Sequence, residues 1–476
     1  MAQLRIIARF IAVKAAMTVR FINLVEPLAH KATAMRTTDT DGQGRYRSGA
    51  VSTLIGSSLR RGDVDSTTER STRPTQTMPG IRTSTTATRT TTTRALSCAP
   101  VPSADRYERH PHADFTFEEL VQAYFDCRKN KRNTATALAF EQRLERNLCR
   151  LRDDLIHGTY QPGQSICFVV TRPKAREVWA ADFRDRIVHH LLYNRVAPRF
   201  YASFVADSCA CIPGRGTLYG AKRLEAQVRS ITENWQKPAH YLKLDLANFF
   251  VTINKDVLRD QLAARITEPW WLNLAEQVLF HDPRQNFELR GASHLIDRVP
   301  EHKRLGNQPA HLGLPIGNLS SQFFANVYLD ALDQFVKHKI RAKHYIRYVD
   351  DFVLLHESPQ WLNQAKAEIE AFLPARLGVQ INPSKTILQP VDRGIDFVGH
   401  FIKPWRRTTR PRTLRTALKR IEAMPADQVF ETGNSYLGLI RQASHGHTDQ
   451  ARVAKALLAR GHCVKADLTK IYRKAA

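Results

Sequence analysis

Apolar residues fall into a regular rhythm in this chain only from about Phe115 onward. Leu120, Tyr124, Leu138, Leu144, Leu148, Leu151 and Leu155 recur at helical spacing, around a cationic turn at Arg128-Lys129-Asn130-Lys131-Arg132. "SICFVVTRP" (165–173) then reads as a strand and "FRDRIVHHLLYNRVAPRFY" (183–201) as a helix. "HYLKLDLANFFVTI" (240–253) is a β-type run whose apolar residues flank one acid, Asp245. Helical segments follow after 260, then the Gly-rich loop "GLPIGNLSSQFF" (313–324). That loop launches an amphipathic helix with Phe324, Val327, Tyr328, Ala331, Leu332 and Phe335 on its apolar face. In "HYIRYVDDFVLLH" (344–356) two β-rich runs flank Asp350-Asp351, which reads as a hairpin. A helix from Trp361 to about Leu373, the short strands "GVQIN" and "GIDFVGHFI", and a basic helical tail complete the pattern. This order predicts an α+β fold, a small antiparallel sheet backed by helices, with no internal repeat.

The first hundred residues lack that rhythm. "STRPTQTMPGIRTSTTATRTTTTRALS" (71–97) is rich in Thr and Arg, has almost no large apolar residue and cannot bury a core. The first 36 residues set Arg5, Arg9, Lys14, Arg20, Lys31 and Arg36 against a single acid, Glu26. Three readings fit: an organellar transit peptide, a nucleic-acid-binding tail, or upstream sequence included by a wrong start codon. Met17, Met35 and Met78 offer other starts, and the third reading is favoured. Residues 1–110 are therefore expected to be a low-complexity, basic segment, disordered or misassigned.

A formal charge of +26 and a pI near 10.1 imply a polyanionic partner, nucleic acid first. An anionic membrane surface is the other candidate, but no run of about 18 apolar residues exists to span a bilayer. A soluble, cytoplasmic protein with no membrane partner is expected. The seven cysteines are scattered without a CxxC pair, so a zinc ribbon is disfavoured and free thiols are expected.

Asp is an ordinary hairpin residue, so an Asp-Asp turn requires no function. The favoured turns, however, place Gly or Asn at a central position, and neither is present here. Two adjacent carboxylates in an apolar hairpin repel each other and lose solvation, so a cation should compensate them. If the strand of Asp245 pairs with the hairpin, three carboxylates converge. Hard oxygen ligands of this kind suit Mg²⁺, and two such ions stabilise the attacking and leaving oxygens of an in-line phosphoryl transfer.

At these residues the chain resembles a reverse transcriptase. "YVDD" (348–351) resembles the family's motif C, "LKLDLANFF" (242–250) motif A, and "LPIGNLSSQ" (314–322) motif B. "NPSKT" (382–386) resembles motif D and "IDFVGHFI" (395–402) the primer grip, and the resemblance runs from about Tyr124 to the C-terminus. It implies a right-hand polymerase of the α+β class. Fingers and a palm with a small antiparallel sheet occupy 111–402, and a basic helical thumb occupies 403–476. The implied activity is RNA-directed DNA polymerisation, with template RNA, a primer and dNTPs as partners. Asp245 and Asp350 would bind two Mg²⁺ ions, for which Mn²⁺ substitutes, with the Leu246 carbonyl as a further ligand and Asp351 completing the cluster.

The resemblance assigns further roles. Phe250 falls where the family carries a steric gate that leaves no room for a 2′-hydroxyl; beside it, Phe249 reads as core. Arg172, Lys174 and Arg176 occupy the fingers stretch that holds the triphosphate, against the reading that each is a solvated surface cation. Lys385 matches a lysine that donates a proton to departing pyrophosphate. Arg184 and Arg186 read as fold supports or template contacts, and His189 and His190 as packed. Arg406, Arg407, Arg410, Arg412, Arg415, Lys419 and Arg420 have helical spacing and are expected to follow the primer–template backbone, or to form a solvated basic face.

Within the family, Ile316 before Gly317, with Gln322 after Ser321, resembles the reverse transcriptases of diversity-generating retroelements. "AADFRDRIVHHLLYN" and "CRKNKRNT" are similar to that group as well. Its members copy a template RNA with errors at adenines and work with a small basic accessory protein. Retron, phage-defence and group II intron-type enzymes are the alternatives, and an RNA-binding protein with an inactive palm is the non-enzymatic one.

Overall fold

The computed structural model describes residues 113–129, 134–172 and 174–472. The expectations for residues 1–110 and for Asn130, Lys131 and Arg132 lie outside the described residues. The first described helix, α1 (Phe117–Arg128), begins at a capping box. Thr116 Oγ1 accepts from the Glu119 N–H at 3.2 Å, and the Glu119 carboxylate accepts from the Thr116 N–H at 2.9 Å. Helices α2 (Ala135–Glu141) and α3 (Leu144–Ile156) follow, then the antiparallel pair β1 (Ser165–Val170) and β2 (Arg176–Ala180). Helix α4 (Phe183–Tyr201) spans the predicted segment, capped by Asp182, whose side chain accepts from the Arg184 N–H. Next come α5 (Thr217–Ile231), β3 (His240–Asp245), the single turn α6 (Phe249–Thr252), α7 (Lys255–Ala263), α8 (Pro269–Phe280) and β4 (Phe287–Arg290). The hairpin helix α9 (Leu319–Gln334) precedes β5 (His344–Tyr348) and β6 (Asp351–His356). After α10 (Pro359–Leu377) come β7 (Ile387–Pro390), β8 (Ile395–Phe397), β9 (His400–Lys403) and β10 (Arg406–Thr409). Three helices, α11 (Pro411–Ala423), α12 (Ala426–Ile440) and α13 (His447–Ala459), pack on one another, followed by the short pair β11 (Cys463–Val464) and β12 (Ile471–Tyr472).

The α+β expectation holds, and the central sheet is antiparallel in the order β5-β6-β3-β7. Its strands are apolar on both faces because helices cover both. Tyr241, Ile346, Val353 and Leu355 pack with Leu224 and Val228 of α5 and with Ile395, Phe397 and Ile402 of the β8–β10 sheet. The alternate residues Leu242, Leu244, Phe352 and Leu354 are fully buried on the other face, where α10 packs.

Three predicted elements differ. The β-type run at 240–253 ends as a strand at Asp245, because Asn248 takes a left-handed conformation (φ 50°) and starts the turn α6. "GVQIN" supplies only one bridge, Ile381 to Leu246, since Gly378 (φ 62°) ends α10 just beyond the end of β3. The edge strand is instead β7, from the unpredicted run 387–390. The basic tail is not helical from Arg406: residues 406–409 form β10, with Arg407 and Thr409 buried and Arg406 exposed.

Behind the hairpin lies a buried ion pair. Arg347 donates to Asp333 of α9 from Nη2 (2.6 Å) and Nε (2.8 Å), and the two side chains are 1% and 0% exposed. Tyr345 adds its hydroxyl to Asp333 at 2.6 Å. Arg347 also donates to Ser208 Oγ, Asn326 Oδ1 and the Val349 carbonyl. Removing one partner of such a pair strands a charge away from water, at a cost of about 3–5 kcal/mol. Asp333→Ala is therefore expected to lower unfolding free energy by about that amount, and the double change Arg347→Met/Asp333→Leu to recover most of it, measured by urea denaturation.

Candidate active site

The turn between β5 and β6 carries Val349 and Asp350, and β6 pairs in register with β3. Val349 is β-branched yet sits at φ 56°, a conformation that costs of order 1–3 kcal/mol unless its surroundings fix it. The Arg347 guanidinium, bonded to the Val349 carbonyl at 3.1 Å, and the Leu246 N–H, bonded to the Asp350 carbonyl at 3.1 Å, fix it. Asp245 stands directly opposite Asp351 in the β3–β6 ladder, so the strands of the three acids do pair.

The compensating cations are two lysines. Lys385 Nζ lies 2.5 Å from Asp245 Oδ1, and Lys243 Nζ lies 3.1 Å from Asp351 Oδ2. The sequence reading missed Lys243. The signal was its place two residues before Asp245, on the same face of the strand. Burial pushes the Asp350 carboxyl above the usual carboxylate range; the Asp245 charge adds to this, while Lys385 and Arg176 oppose it. Burial also pushes Asp351 up to about 6 against the pull of Lys243. Asp351 Oδ1 is buried without a hydrogen-bond partner among the described residues. Among the described residues no three acidic, His or Cys side chains are grouped closely enough to hold a metal ion. The convergence expected of the three carboxylates is thus one of register, with lysines holding two of them.

In front of Asp350 opens a cavity of about 440 Å³ lined by Lys174, Arg176, Leu246, Phe250, Ile316 and Lys385, among others. Both Phe249 and Phe250 line it, and of the two Phe249 is the buried one, 2% exposed and packed near Tyr328. Asn248, Asn382, Arg298 and Lys303 line it too, and the sequence reading named none of them. Arg172 is exposed and Gln322 lies on the solvent side of α9; neither lines the cavity. Ser321 is buried and faces a separate small cleft with Asp185, His189 and Ser320.

The loop before α9 is clamped from two sides. The Gly313 and Leu314 N–H groups donate to the Ile253 and Phe250 carbonyls, both at 2.8 Å. The Ile316 carbonyl accepts from the Trp179 N–H of β2 at 2.7 Å, and Asn318 Oδ1 accepts from the Ala181 N–H at 3.0 Å. Gly317 (φ 129°) sits against β2 so closely that a Cβ would lie 2.8 Å from Val178 Cγ1 and 3.0 Å from the Trp179 carbonyl. Its glycine serves the approach of β2, with the cavity left to the neighbouring Ile316 side chain.

Four other assignments are decided by contacts. Arg184 donates to Asp154 at 2.5 Å and lies over the Tyr160 ring, and Arg186 donates to the Ala181 carbonyl at 2.7 Å, so both brace the fold. Arg407, in the expected nucleic-acid face, is 4% exposed, pairs with Glu225 at 2.9 Å and donates to the Gln442 carbonyl at 2.5 Å. Arg410 pairs with Asp396. The strand geometry of β10 turns Arg407 inward, which helical spacing could not have disclosed. Arg412, Arg415, Lys419 and Arg420 remain exposed on α11 and Arg406 on β10.

Residues 172–402 match the family model described as reverse transcriptase (RNA-dependent DNA polymerase). No curated protein matches the sequence. Among solved structures the chain is similar to a telomerase from Candida albicans in complex with a fragment of telomeric RNA. The identity is 12%, with 63% of this chain and 55% of that chain covered and a TM-score of 0.37. It is also similar to an apo telomerase from Candida tropicalis truncated from its C-terminal domain, at 12% identity, 52% and 56% coverage and a TM-score of 0.38. The chain thus spans about half the length of the structures it matches.

His189, 8% exposed on α4, has its imidazole driven down to about 3, first by burial and then by neighbouring cations and His281. A neutral buried imidazole contributes stability that is intact above the unfolded value near 6.5 and declines as pH falls from there toward 3. His189→Gln is expected to flatten that decline by up to about 1.4 kcal/mol per pH unit between pH 6 and 4.5, read from denaturant midpoints.

Proposed function

We propose that the chain, whose residues 172–402 match the reverse transcriptase family model, is an RNA-directed DNA polymerase, a nucleotidyltransferase, which copies an RNA template into cDNA at the cavity in front of Asp350. One observation carries this reading: a single cavity brings together Asp350, a bulky ring at Phe250, the Ile316 side chain and the cations Lys174, Arg176 and Lys385. A nucleotide needs each of these surfaces, for its metal-bound phosphates, its sugar and its base.

The donor chemistry, carboxylate and carbonyl oxygens, suits Mg²⁺, with Mn²⁺ as a substitute, although with Lys385 on Asp245 the three carboxylates are not grouped around one point. Asp350 and Asp351 resist ionisation in the fold, and Asp351 Oδ1 is a buried acceptor without a donor; a hard dication relieves both. Asp245, Asp350, Asp351 and the Leu246 carbonyl would hold two ions, which when bound supply charge neutralisation at the attacking and leaving oxygens. The protein's own groups do the rest. Lys174 and Arg176 hold the phosphates, and Phe250 excludes a 2′-hydroxyl. Lys385, once it leaves Asp245, is placed to donate a proton to the leaving pyrophosphate. Arg412, Arg415, Lys419 and Arg420 follow the primer–template backbone.

The finer reading is a diversity-generating retroelement enzyme, error-prone at template adenines and assisted by a small basic accessory protein. Support comes from Ile316 in "IGNLSSQ": its carbonyl is fixed to β2 while its side chain faces the cavity, where it packs but cannot hydrogen-bond a base pair.

Primer extension on an RNA template with the purified chain tests the first reading. Incorporation is expected to require Mg²⁺, to fall a hundredfold or more (roughly) in Asp350→Asn, and to admit ribonucleotides in Phe250→Ala. Retained RNA binding with no incorporation would instead indicate an inactive palm. For the finer reading, Ile316→Gln is expected to lower misincorporation opposite template adenine by about three- to tenfold, the worth of one added hydrogen bond. Equal adenine error rates, by sequencing the products, would remove Ile316 as the cause.

A further inference from the structure

The cavity has a wall outside every motif named above. Between β4 and the loop at 313 the chain runs through three short turns, Ser293–Arg298, Glu301–Lys303 and Leu305–Asn307, and brings Arg298, Val299, Pro300 and Lys303 to the same cavity as Asp350 and Phe250. This segment is held in place. Strand β4 adds to β1 in parallel, and the Glu177 carboxylate, buried on β2, accepts from the Leu305 N–H at 2.9 Å. Arg284 donates to the Leu305 and Gln308 carbonyls, and Arg304 to the Val299 carbonyl at 2.8 Å. Leu305 packs with Cys167 and Trp179. The backbone around Arg298 and Lys303 is thereby anchored to the strand that carries Arg176.

The two cations themselves are uncommitted. Arg304 takes Asp297 at 3.6 Å, but neither Arg298 nor Lys303 has an ion-pair partner among the described residues. Lys174 and Arg176 are likewise unpaired, whereas Lys385 is engaged by Asp245 and Glu177 by neutral donors. The cavity therefore presents four unpaired cations from two separate segments. Cations left unpaired around one concavity focus positive potential there. A polyphosphate, with several charges and many acceptor oxygens, is the ligand that answers all four.

We propose that Arg298 and Lys303 bind the polyphosphate of the incoming nucleotide, together with Lys174 and Arg176. This rests on the polymerase reading above. Charge-assisted hydrogen bonds to phosphate in a partly enclosed site make each cation worth roughly tenfold in nucleotide affinity.

The test uses the full chain in steady-state dNTP incorporation, with Arg298→Gln, Lys303→Gln and the double variant. Arg290→Gln serves as control, since Arg290 is exposed on β4, pairs with Glu288 and does not line the cavity. The KM for dNTP is expected to rise roughly tenfold in each single variant and further in the double. Inhibition by added pyrophosphate should weaken in parallel, while primer–template Kd and the Arg290→Gln enzyme stay as wild type. Variants with wild-type KM in an active enzyme overturn this inference alone. A weaker primer–template Kd with unchanged dNTP KM also overturns it, by assigning the two cations to the nucleic acid. A wild-type chain that incorporates nothing sinks the polymerase reading and this inference together.

Discussion

The hairpin that carries Asp350 and Asp351 stands on one buried charge pair. Arg347 and Asp333 are sealed from water, and desolvating two ions costs more than a single contact returns. The arrangement persists because every polar arm of Arg347 is used: toward α9 through Asp333 and Asn326, toward Ser208, and toward the Val349 carbonyl. The segment before α5 adds a further layer, since the Arg347 N–H donates to the Asp207 carbonyl and the Cys209 N–H to the Arg347 carbonyl. That pairing covers what would be the free edge of β5. What the ion pair contributes is specificity of position more than net stability. An apolar pair of similar volume would fill the space but would not reach around to hold a β-branched residue at positive φ.

Fixing that turn has an electrostatic consequence for the carboxylates at the same end of the hairpin. Asp350 and Asp351 are held among apolar residues where ionisation is disfavoured, and the ladder sets Asp245 against Asp351. The strain is only half relieved by Lys243 and Lys385. Lys243 is bound on two sides, to Asp351 and to the Asp396 carbonyl, and so is a fixed counter-charge. Lys385 lies on a short turn with a half-exposed side chain, so its hold on Asp245 is the more easily exchanged. A site of this construction is poised for a cation it does not make itself.

Much of this was legible in the sequence, and what was not has physical causes. The β3 strand, the hairpin and α4 could be read because apolar periodicity, and for α4 a cap residue, mark them locally. Phe249 and Phe250 both reach the cavity, and Phe249 is at the same time buried in the core, so neighbours in a single turn are not divided cleanly between the two. Arg407 was misplaced because its burial depends on β10 pairing with β9 and on Glu225, 182 positions away. Arg298 and Lys303 went unseen because their segment has neither helical nor strand period, and only contacts from β2 and Arg284 bring it to the cavity. Local pattern discloses elements; it does not disclose a wall assembled from three distant segments.

The loop at 313–318 is where those distant segments meet. Gly313 leaves room for Leu305, whose Cδ1 would lie 2.7 Å from a Cβ there, and for the Val251 backbone, while Gly317 leaves room for β2. Its backbone polar groups go to the chain after Asp245 on one side and to Trp179 and Ala181 on the other. With both neighbours bound at the backbone, the loop cannot shift without breaking hydrogen bonds to Trp179 and Ala181 on one side and to the Phe250 and Ile253 carbonyls on the other. The only group it is free to vary toward the cavity is the side chain at 316. On the proposed reading, a single substitution there would change how a base pair is restrained while leaving the frame intact, which is the condition for altering accuracy without losing the ability to polymerise.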